Sequence, residues 1–330
     1  MSDNDFASPA FLHAHIVSIL EFYKSRAMDS VGGGFFQNYQ DDGIIVSPEK
    51  KHLVSSTRMI WMFCQAELLL ANRDYRKLWQ HGLDFLRRKH NRGAEGGYVW
   101  CFGADGEDAT QHAYGLSFVL LSLSAAFQCG DPVAKEEIES TYQLLEQSFW
   151  DSANCVYADE VSADWRHRAS YRGQNSNMHL TEALIACSDV LREPEYLRRA
   201  VYLADKFTCE LAHEGSGFVW EHYDNRLRPD WDYNKDDPEN LYRPWGFQPG
   251  HQTEWAKLLC LLYRRCGQSR MLERAEALFR EAYRLAWDHA HGGLIYGLDL
   301  DLNPFDTKKY FWVQAETIAA AALLWRETGD

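Results

Sequence analysis

The chain has 330 residues, a net charge of −14 at pH 7 and a hydrophobic content of 46%. This composition supports a large buried core, and the acidity argues against nucleic acid and anionic membranes as partners. The eight cysteines form no C-x-x-C pair, the N-terminus lacks the features of a signal peptide, and no apolar stretch is long enough to span a bilayer. We therefore expect a cytoplasmic protein with free thiols.

A β-like segment recurs along the chain at intervals of roughly 60 residues, which is a spacing typical of stacked supersecondary units. Each segment is marked by glycine or aromatic residues, and most are followed by Asp, Asn and Gly, as in tight hairpin turns. The segments cover residues 32–36, 96–100, 154–158, 216–220 and 292–296.

Helical runs alternate with these segments. A charged amphipathic run precedes each one, at residues 10–26, 73–91, 133–149, 194–213 and 269–289. A run richer in alanine and leucine follows each one, at residues 55–71, 110–128, 177–191, 250–266 and 311–327. Apolar residues at helical spacing predict an outer helix, a short hairpin and an inner helix in every unit.

Units of this kind close into an α/α barrel of six helix pairs. We therefore predict an all-α fold of the (α/α)₆ type, with residues 1–330 forming a single domain. The pattern supplies ten helices, so either the barrel is open or the chain is incomplete at its C-terminus by one pair, and we favour the second explanation. The long connection from Glu221 to Pro249 is either a functional lid or a solvated insertion.

The motif His-x-Thr-Glu occurs twice, as His179 to Glu182 and as His251 to Glu254. Residues three apart share a helix face, so each copy places an imidazole beside a carboxylate. A carboxylate can fix the tautomer of a histidine and make it a positioned acid or base. We predict that Glu254 orients His251 in this way.

Polar and aromatic residues recur where each inner helix begins, a place where ordinary core positions would be apolar. We take the starts of these helices as the predicted site. Its residues are Arg58, Trp61, His112, Tyr114, Asn175, Asn177, His179, Glu182, His251, Glu254, Trp255, Trp312, Gln314 and Glu316.

Other interpretations compete with this one. A lone histidine is more often structural, and seven histidines on the outer helices are expected to be solvated: His13, His15, His81, His90, His213, His289 and His291. Di-metal bundles use Glu-x-x-His, whereas this chain has the reverse order, so a metal site at these histidines and glutamates is only a minor alternative. Motifs for a serine nucleophile or a phosphate loop are absent from the sequence.

Three longer segments carry a family resemblance: residues 172–179 (RGQNSNMH), 244–257 (PWGFQPGHQTEWAK) and 310–316 (YFWVQAE). With Arg58 and Trp61, they resemble the N-acylglucosamine 2-epimerase superfamily and, within it, the D-mannose isomerases. The resemblance covers essentially the whole chain. It implies an (α/α)₆ barrel that moves a proton at C2 of a monosaccharide without metal or organic cofactor.

The resemblance also implies roles for individual residues. His251 is similar to one of two catalytic histidines, with Glu254 beside it, and His179 to the histidine near the ring oxygen and C1. The second catalytic histidine of the family would lie beyond residue 330. The residues implied to contact or line the sugar are Arg58, Trp61, His112, Asn175, Glu182, Trp312 and Gln314.

The predicted reaction is the isomerisation of D-mannose to D-fructose through an enediol. One alternative is C2 epimerisation of N-acylglucosamine or a cellobiose-type sugar. Others are a glycoside hydrolase, which would need two carboxylates such as Glu182 and Glu254, and a sugar-binding protein. The oligomeric state is left open.

Overall fold

The computed structural model describes residues 8–93, 96–213 and 215–330. Within these ranges ten α-helices form the bulk of the structure, and each predicted helical run overlaps one of them. They are α1 (Pro9–Lys24), α2 (Leu53–Leu70), α3 (Arg76–Phe85), α4 (Ala113–Gln128), α5 (Ala134–Ser148), α6 (Gln174–Leu191), α7 (Pro194–Asp205), α8 (Pro249–Cys266), α9 (Ser269–Ala286) and α10 (Phe311–Thr328). The prediction of alternating helical elements is confirmed.

Short strands occupy the connections between the helices. They are β1 (Asn38–Tyr39), β2 (Ile45–Val46), β3 (Lys51–His52), β4 (Cys101–Gly103), β5 (Gly106–Asp108), β6 (Gln111–His112), β7 (Trp150–Asp151), β8 (Val156–Tyr157), β9 (Glu160–Val161), β10 (Arg172–Gly173), β11 (His222–Tyr223), β12 (Gly297–Leu298) and β13 (Pro304–Asp306). Antiparallel pairs include β1–β2, β7–β8, β10–β11 and β12–β13. Four of the five predicted β-like segments end just before a regular strand begins, so the prediction placed most of the β structure a few residues early.

The chain divides into two compact units, one of residues 1–144 and 162–166, the other of residues 145–161 and 167–330. In the first unit α2 packs against α3 and α4. In the second unit α8 packs against α6, α9 and α10. The single domain over residues 1–330 stays a prediction.

The sequence pattern of each helix follows its surroundings. On α9 the buried residues recur every three or four positions, from Met271 to Ala286, which is one apolar stripe on an otherwise charged helix. The first two turns of α8 are almost wholly buried, including polar side chains such as Gln252 and Thr253. Within the described ranges no helix is both long enough and apolar enough to cross a membrane. Residues 1–7, on which the predicted lack of a signal peptide rests, lie outside these ranges.

The histidine predictions need one correction. His90 was expected on a solvated face, yet it is fully buried. Its Nδ1 lies 2.7 Å from the Val99 carbonyl oxygen and its Nε2 lies 3.1 Å from the Ser56 hydroxyl. Burial lowers the pKa of His90 to about 4, so the ring is a neutral structural group. A short π-helical turn, Leu86–His90, extends α3 and turns this histidine inward.

Side-chain amides at the starts of three helices bind the β-like segments in one repeated pattern, which we call the amide clamp. In each clamp the amide oxygen accepts from a backbone N–H, and the amide nitrogen donates to the carbonyl of the same residue. Asn177 binds Tyr157 at 2.9 and 3.0 Å, Gln252 binds Val219 at 2.9 and 3.0 Å, and Gln314 binds Leu294 at 3.0 and 2.8 Å. The clamps join each helix start to the segment that precedes it.

Gln252→Ala is expected to lower the free energy of unfolding by about 2–4 kcal/mol, because it leaves two buried backbone groups of Val219 without their partner. Chemical denaturation of the purified protein measures this loss. Gln143→Ala, on an exposed position of α5, serves as the control and should stay within about 0.5 kcal/mol of the parent. Equal stability of the two variants would contradict a structural role for the clamp.

Candidate active site

His251 is buried in the first turn of α8 and contacts a carboxylate from a different part of the chain. Its Nδ1 lies 3.0 Å from each carboxylate oxygen of Glu221. Glu221 comes directly before β11, and the pairing of β10 with β11 carries it to the start of α6. Nδ1 also lies 3.0 Å from the Gln174 amide nitrogen, but two carboxylate oxygens, which only accept, face it, so we assign Nδ1–H as the donor and Nε2 as the ring's acceptor.

Glu221 replaces Glu254 as the partner of His251, which corrects the prediction from the His-x-Thr-Glu motif. Helical side chains lean toward the N-terminus of their helix, so His251 reaches past the end of α8 to Glu221. The Glu254 carboxylate instead lies 3.8 Å from Nδ1 of His179. One sequence feature could have pointed to Glu221: it is a charged residue directly after the apolar segment 216–220.

Gln174, the first residue of α6, holds the Glu221 carboxylate in place. Its amide nitrogen donates to Glu221 at 2.8 Å, and its amide oxygen accepts from the Trp255 indole at 2.7 Å. The indole can only donate, so it fixes which end of the amide faces the carboxylate. Trp255 is fully buried. Within the predicted site it therefore supports the hydrogen-bonded series Gln174, Glu221 and His251.

The charge of Glu221 changes the acidity of His251. Burial opposes a charged imidazole, but the Glu221 carboxylate outweighs burial and raises the pKa of His251 above its ordinary value, with smaller contributions from Glu254 and Glu316. A histidine held this way is a stronger base than a free one and has a fixed tautomer. These are the properties of a general base.

Trp312, the second residue of α10, flanks the same imidazole. The two ring centroids lie 5.1 Å apart at an interplanar angle of 36°. A Cβ on Gly250 would come within 2.7 Å of the Trp312 ring, so this glycine allows the close approach of α8 and the indole. The half-buried indole provides an apolar wall beside His251, suited to the C–H face of a sugar.

His179 lies on α6 beside two carboxylates and a buried lysine. Its Nδ1 is 3.5 Å from Glu182 and 3.8 Å from Glu254. The ammonium of Lys257 is 3.1 Å from Glu182, 3.9 Å from Glu254 and 2.6 Å from Glu316. We call His179, these three glutamates and the lysine the Lys257 cluster.

Three members of the cluster have donor atoms close enough together for a metal ion. One ligand atom each from His179, Glu182 and Glu254 lies within 4.8 Å of the others. However, the Lys257 ammonium already provides positive charge to both of these carboxylates. We therefore describe the cluster as an ion-pair network, and the absence of a metal and a cofactor stays a prediction.

The two predicted amide ligands differ in how their polar atoms are used. The buried Oδ1 of Asn175 has no hydrogen-bond partner among the described residues, so it is suited to accept a hydrogen bond from a ligand. Gln314 is different, because both ends of its amide bind the backbone of Leu294. This contact argues against the predicted role of Gln314 in binding sugar.

The remaining predicted residues lie in the first compact unit. The Arg58 guanidinium lies 4.3 Å from the centre of the Phe118 ring, and Trp61 on the same helix is 39% exposed. His112 directly precedes α4, with its ring centroid 4.1 Å from that of Trp100. Their grouping with the histidines of the second unit stays a prediction.

Comparison with known proteins identifies the family. The family model for N-acylglucosamine 2-epimerase matches residues 34–330. A D-mannose isomerase from Marinomonas mediterranea is 48% identical over 332 residues, covering 100% of this chain and 84% of the relative. A cellobiose 2-epimerase from Bacteroides fragilis is 22% identical, covering 94% of this chain and 80% of the relative.

A solved structure matches as well. The crystal structure of a D-mannose isomerase superposes with a TM-score of 0.96 at 48% identity, covering 100% of this chain and 84% of that one. This match confirms the predicted fold class, which is all-α, of the α/α-barrel type, with helix pairs and short hairpins. The relatives identify an enzyme of the isomerase and epimerase class. The chain belongs to the N-acylglucosamine 2-epimerase family.

Proposed function

We propose that the protein interconverts D-mannose and D-fructose by moving a proton between C2 and C1 of the opened sugar. The observation that carries this proposal is the buried imidazole of His251, with both oxygens of Glu221 3.0 Å from its Nδ1. Such a pair supplies a base of raised pKa with one defined acceptor atom. The 48% identity to a D-mannose isomerase supports the choice of sugar.

The proton transfers balance with His251 acting as a single base. Nε2 removes the proton from C2 of the open-chain aldose, the C1–C2 double bond forms, and the aldehyde oxygen gains the negative charge and then a proton. The enediol next loses the proton of its O2 hydroxyl as the carbonyl forms at C2. The His251 imidazolium returns its proton to C1. One hydrogen moves from C2 to C1 and one from O2 to O1.

Other residues would prepare the sugar and stabilise the charge on oxygen. His179 would donate a proton to the ring oxygen during opening or to O1 in the enediolate, since a developing oxyanion needs a positioned donor. Asn175 would bind a hydroxyl through its unused amide oxygen. Arg58, Trp61, His112, Glu182 and Trp312 remain proposed sugar contacts. The proposal includes a cytoplasmic location and no metal.

Asn175→Ala is expected to lower kcat/KM for D-mannose by about 10- to 100-fold, because the sugar hydroxyl loses a buried partner. Initial-rate kinetics over a range of mannose concentrations measures the loss. The unfolding midpoint should stay at the parent value, because Oδ1 of Asn175 binds no group in the described part of the chain. A parent-like kcat/KM would contradict a role for this amide in binding sugar.

Proton NMR of the protein with D-mannose in D₂O tests the function directly. Isomerisation should produce the signals of D-fructose, with deuterium at C1 wherever the abstracted proton exchanges with solvent. The absence of both fructose formation and exchange at C2 would contradict the proposal. The same spectra distinguish an isomerase, which forms D-fructose, from a C2 epimerase, which forms D-glucose.

C2 epimerisation is the second candidate, supported by the similarity to a cellobiose 2-epimerase. Epimerisation returns the proton to the opposite face of C2 and therefore needs an acid on the other side of the sugar. Formation of D-glucose from D-mannose, or of an epimer from cellobiose, would favour this function over isomerisation.

A further inference from the structure

We propose that Lys257 is a positioning residue that holds Glu182 and Glu254 beside His179 and offsets their negative charge, so that a protonated His179 can release its proton to a sugar oxygen. This inference extends the proposed function, in which His179 donates a proton to a sugar oxygen. It concerns a lysine that is not among the residues of the predicted site.

The geometry gives Lys257 more partners than a simple ion pair has. Its side chain is only 13% exposed, and its ammonium meets carboxylates from α6, α8 and α10. Two of these carboxylates, Glu182 and Glu254, are also the ones nearest Nδ1 of His179. The lysine and the histidine therefore have the same two carboxylates as charged neighbours.

The charges of the cluster favour a second positive group. Three carboxylates face one ammonium, so a proton on His179 brings the network closer to neutrality. Burial raises the pKa of Glu316, and the Glu254 charge raises it further. Glu182 behaves in the opposite way: burial works against its charge, but Lys257 and His179 outweigh burial and hold its pKa well below the ordinary value.

The division of roles follows from these contacts. With Lys257 present, Glu182 stays ionised and can only accept, so we assign the hydrogen on His179 to Nδ1, which lies 3.5 Å from that carboxylate. The proton exchanged with the substrate would then leave from Nε2. Without Lys257, the same carboxylates lose the charge that balances them and bind protons more tightly, as does His179.

The test is an NMR titration of His179 in protein labelled with ¹⁵N-histidine. Lys257→Met should raise the titration midpoint of His179 by about one pH unit or more, because one positive neighbour is lost. Lys257→Arg should bring the midpoint back toward the parent value. His251 provides an internal comparison and should shift less than His179, since its nearest carboxylate is Glu221, which Lys257 does not contact in the ion pairs of the structure, while Glu254 and Glu316 make smaller contributions to its pKa.

Lys135→Met is the matched control variant, because Lys135 forms an exposed ion pair on α5. It should leave both histidine midpoints unchanged. A His179 midpoint that is the same in Lys257→Met, Lys135→Met and the parent would overturn the inference. So would equal displacement of His179 and His251 in Lys257→Met.

Glu316→Gln keeps the inference testable if Lys257→Met does not fold. This variant removes a competing carboxylate from Lys257, so the His179 midpoint should move in the opposite direction, to lower pH. No movement would count against the inference. In the active protein, Lys257→Met should also reduce kcat by a larger factor than it changes KM, and Lys257→Arg should recover part of the loss.

The titrations require no substrate, and this separates the two proposals. If the protein produces no fructose but His179 responds to Lys257 as described, the proposed function fails and the role of Lys257 stands. If fructose forms but the His179 midpoint does not respond to the loss of Lys257, the proposed function stands and the role of Lys257 fails.

Discussion

His251→Asn is expected to lower the rate of deuterium exchange at C2 of D-mannose by about 10⁴-fold or more, because the only proposed acceptor of the C2 proton is removed. Asparagine is a suitable replacement since its amide N–H can still donate to the buried Glu221 carboxylate, which avoids an unpaired buried charge. The exchange is measured by proton NMR in D₂O at substrate concentrations above KM.

His291→Asn is the control for this experiment. His291 lies after α9 with 80% of its side chain exposed, which agrees with the prediction that this histidine is solvated. The His291→Asn variant should exchange the C2 proton of D-mannose at the parent rate. Exchange at C2 that persists in His251→Asn, with an intact circular dichroism spectrum, would assign the base to another residue.

Glu221→Gln is expected to move the acid limb of the kcat/KM profile to lower pH. The base works in its neutral form, so activity rises as pH passes the pKa of His251. Glu221 raises that pKa, and its loss lowers the pH at which the neutral form appears. The plateau rate should also fall by about 10- to 100-fold, because a less basic imidazole removes a carbon-bound proton more slowly.

Stability should change with pH in a related way. The pKa of His251 is higher in the folded protein than in the unfolded chain, so the pair stabilises the fold most below about pH 6.5, the ordinary histidine value. That stabilisation is lost as pH rises through the folded-state pKa. The parent should therefore exceed Glu221→Gln in unfolding free energy by more at pH 6 than at pH 9.

Glu273→Gln, at an exposed position on α9, is the matched control for both measurements. It should reproduce the parent pH profile and the parent stability. A Glu221→Gln profile that superposes on that of Glu273→Gln would show that the carboxylate does not tune the base.

The helices were predictable because their apolar residues repeat at helical spacing over ten or more positions. The strands were less predictable, since most consist of two residues and are defined by pairing rather than by a sequence pattern. His179 and His251 were identified from their repeated motif and the family resemblance. Their catalytic roles stay predictions that the experiments above address.

The partner of His251 could not be derived from the motif because it depends on tertiary structure. Glu221 is 30 residues away along the chain and reaches the histidine only because β11 pairs with β10. The contacts of Lys257 could not all be derived from the sequence for the same reason. Its proximity to Glu254 follows from their spacing on one helix, whereas its contacts with Glu182 and Glu316 require α6 and α10 to pack against α8. In both cases the sequence contains the residues but not the contact.

The repeated polar register at the helix starts had two causes that the sequence does not separate. His179 and His251 lie at one set of positions, where side chains are available for chemistry. Asn177, Gln252 and Gln314 lie at another, where amides bind backbone groups. An amide and an imidazole look equally functional in a sequence, and only the hydrogen bonds distinguish them.

The amide clamps have a consequence for how enzymes of this architecture can diversify. Asn177 and Gln314 each lie 20 residues after the residue that they bind, whereas Gln252 lies 33 residues after Val219. The additional residues lie in the connection before α8, and the hydrogen bonds of the Gln252 clamp have the same lengths as those of the Asn177 clamp. Lengthening or exchanging the part of this loop after β11 should thus leave the start of α8 in register, so evolution or an engineer can alter that part without relocating His251 or its partner Glu221.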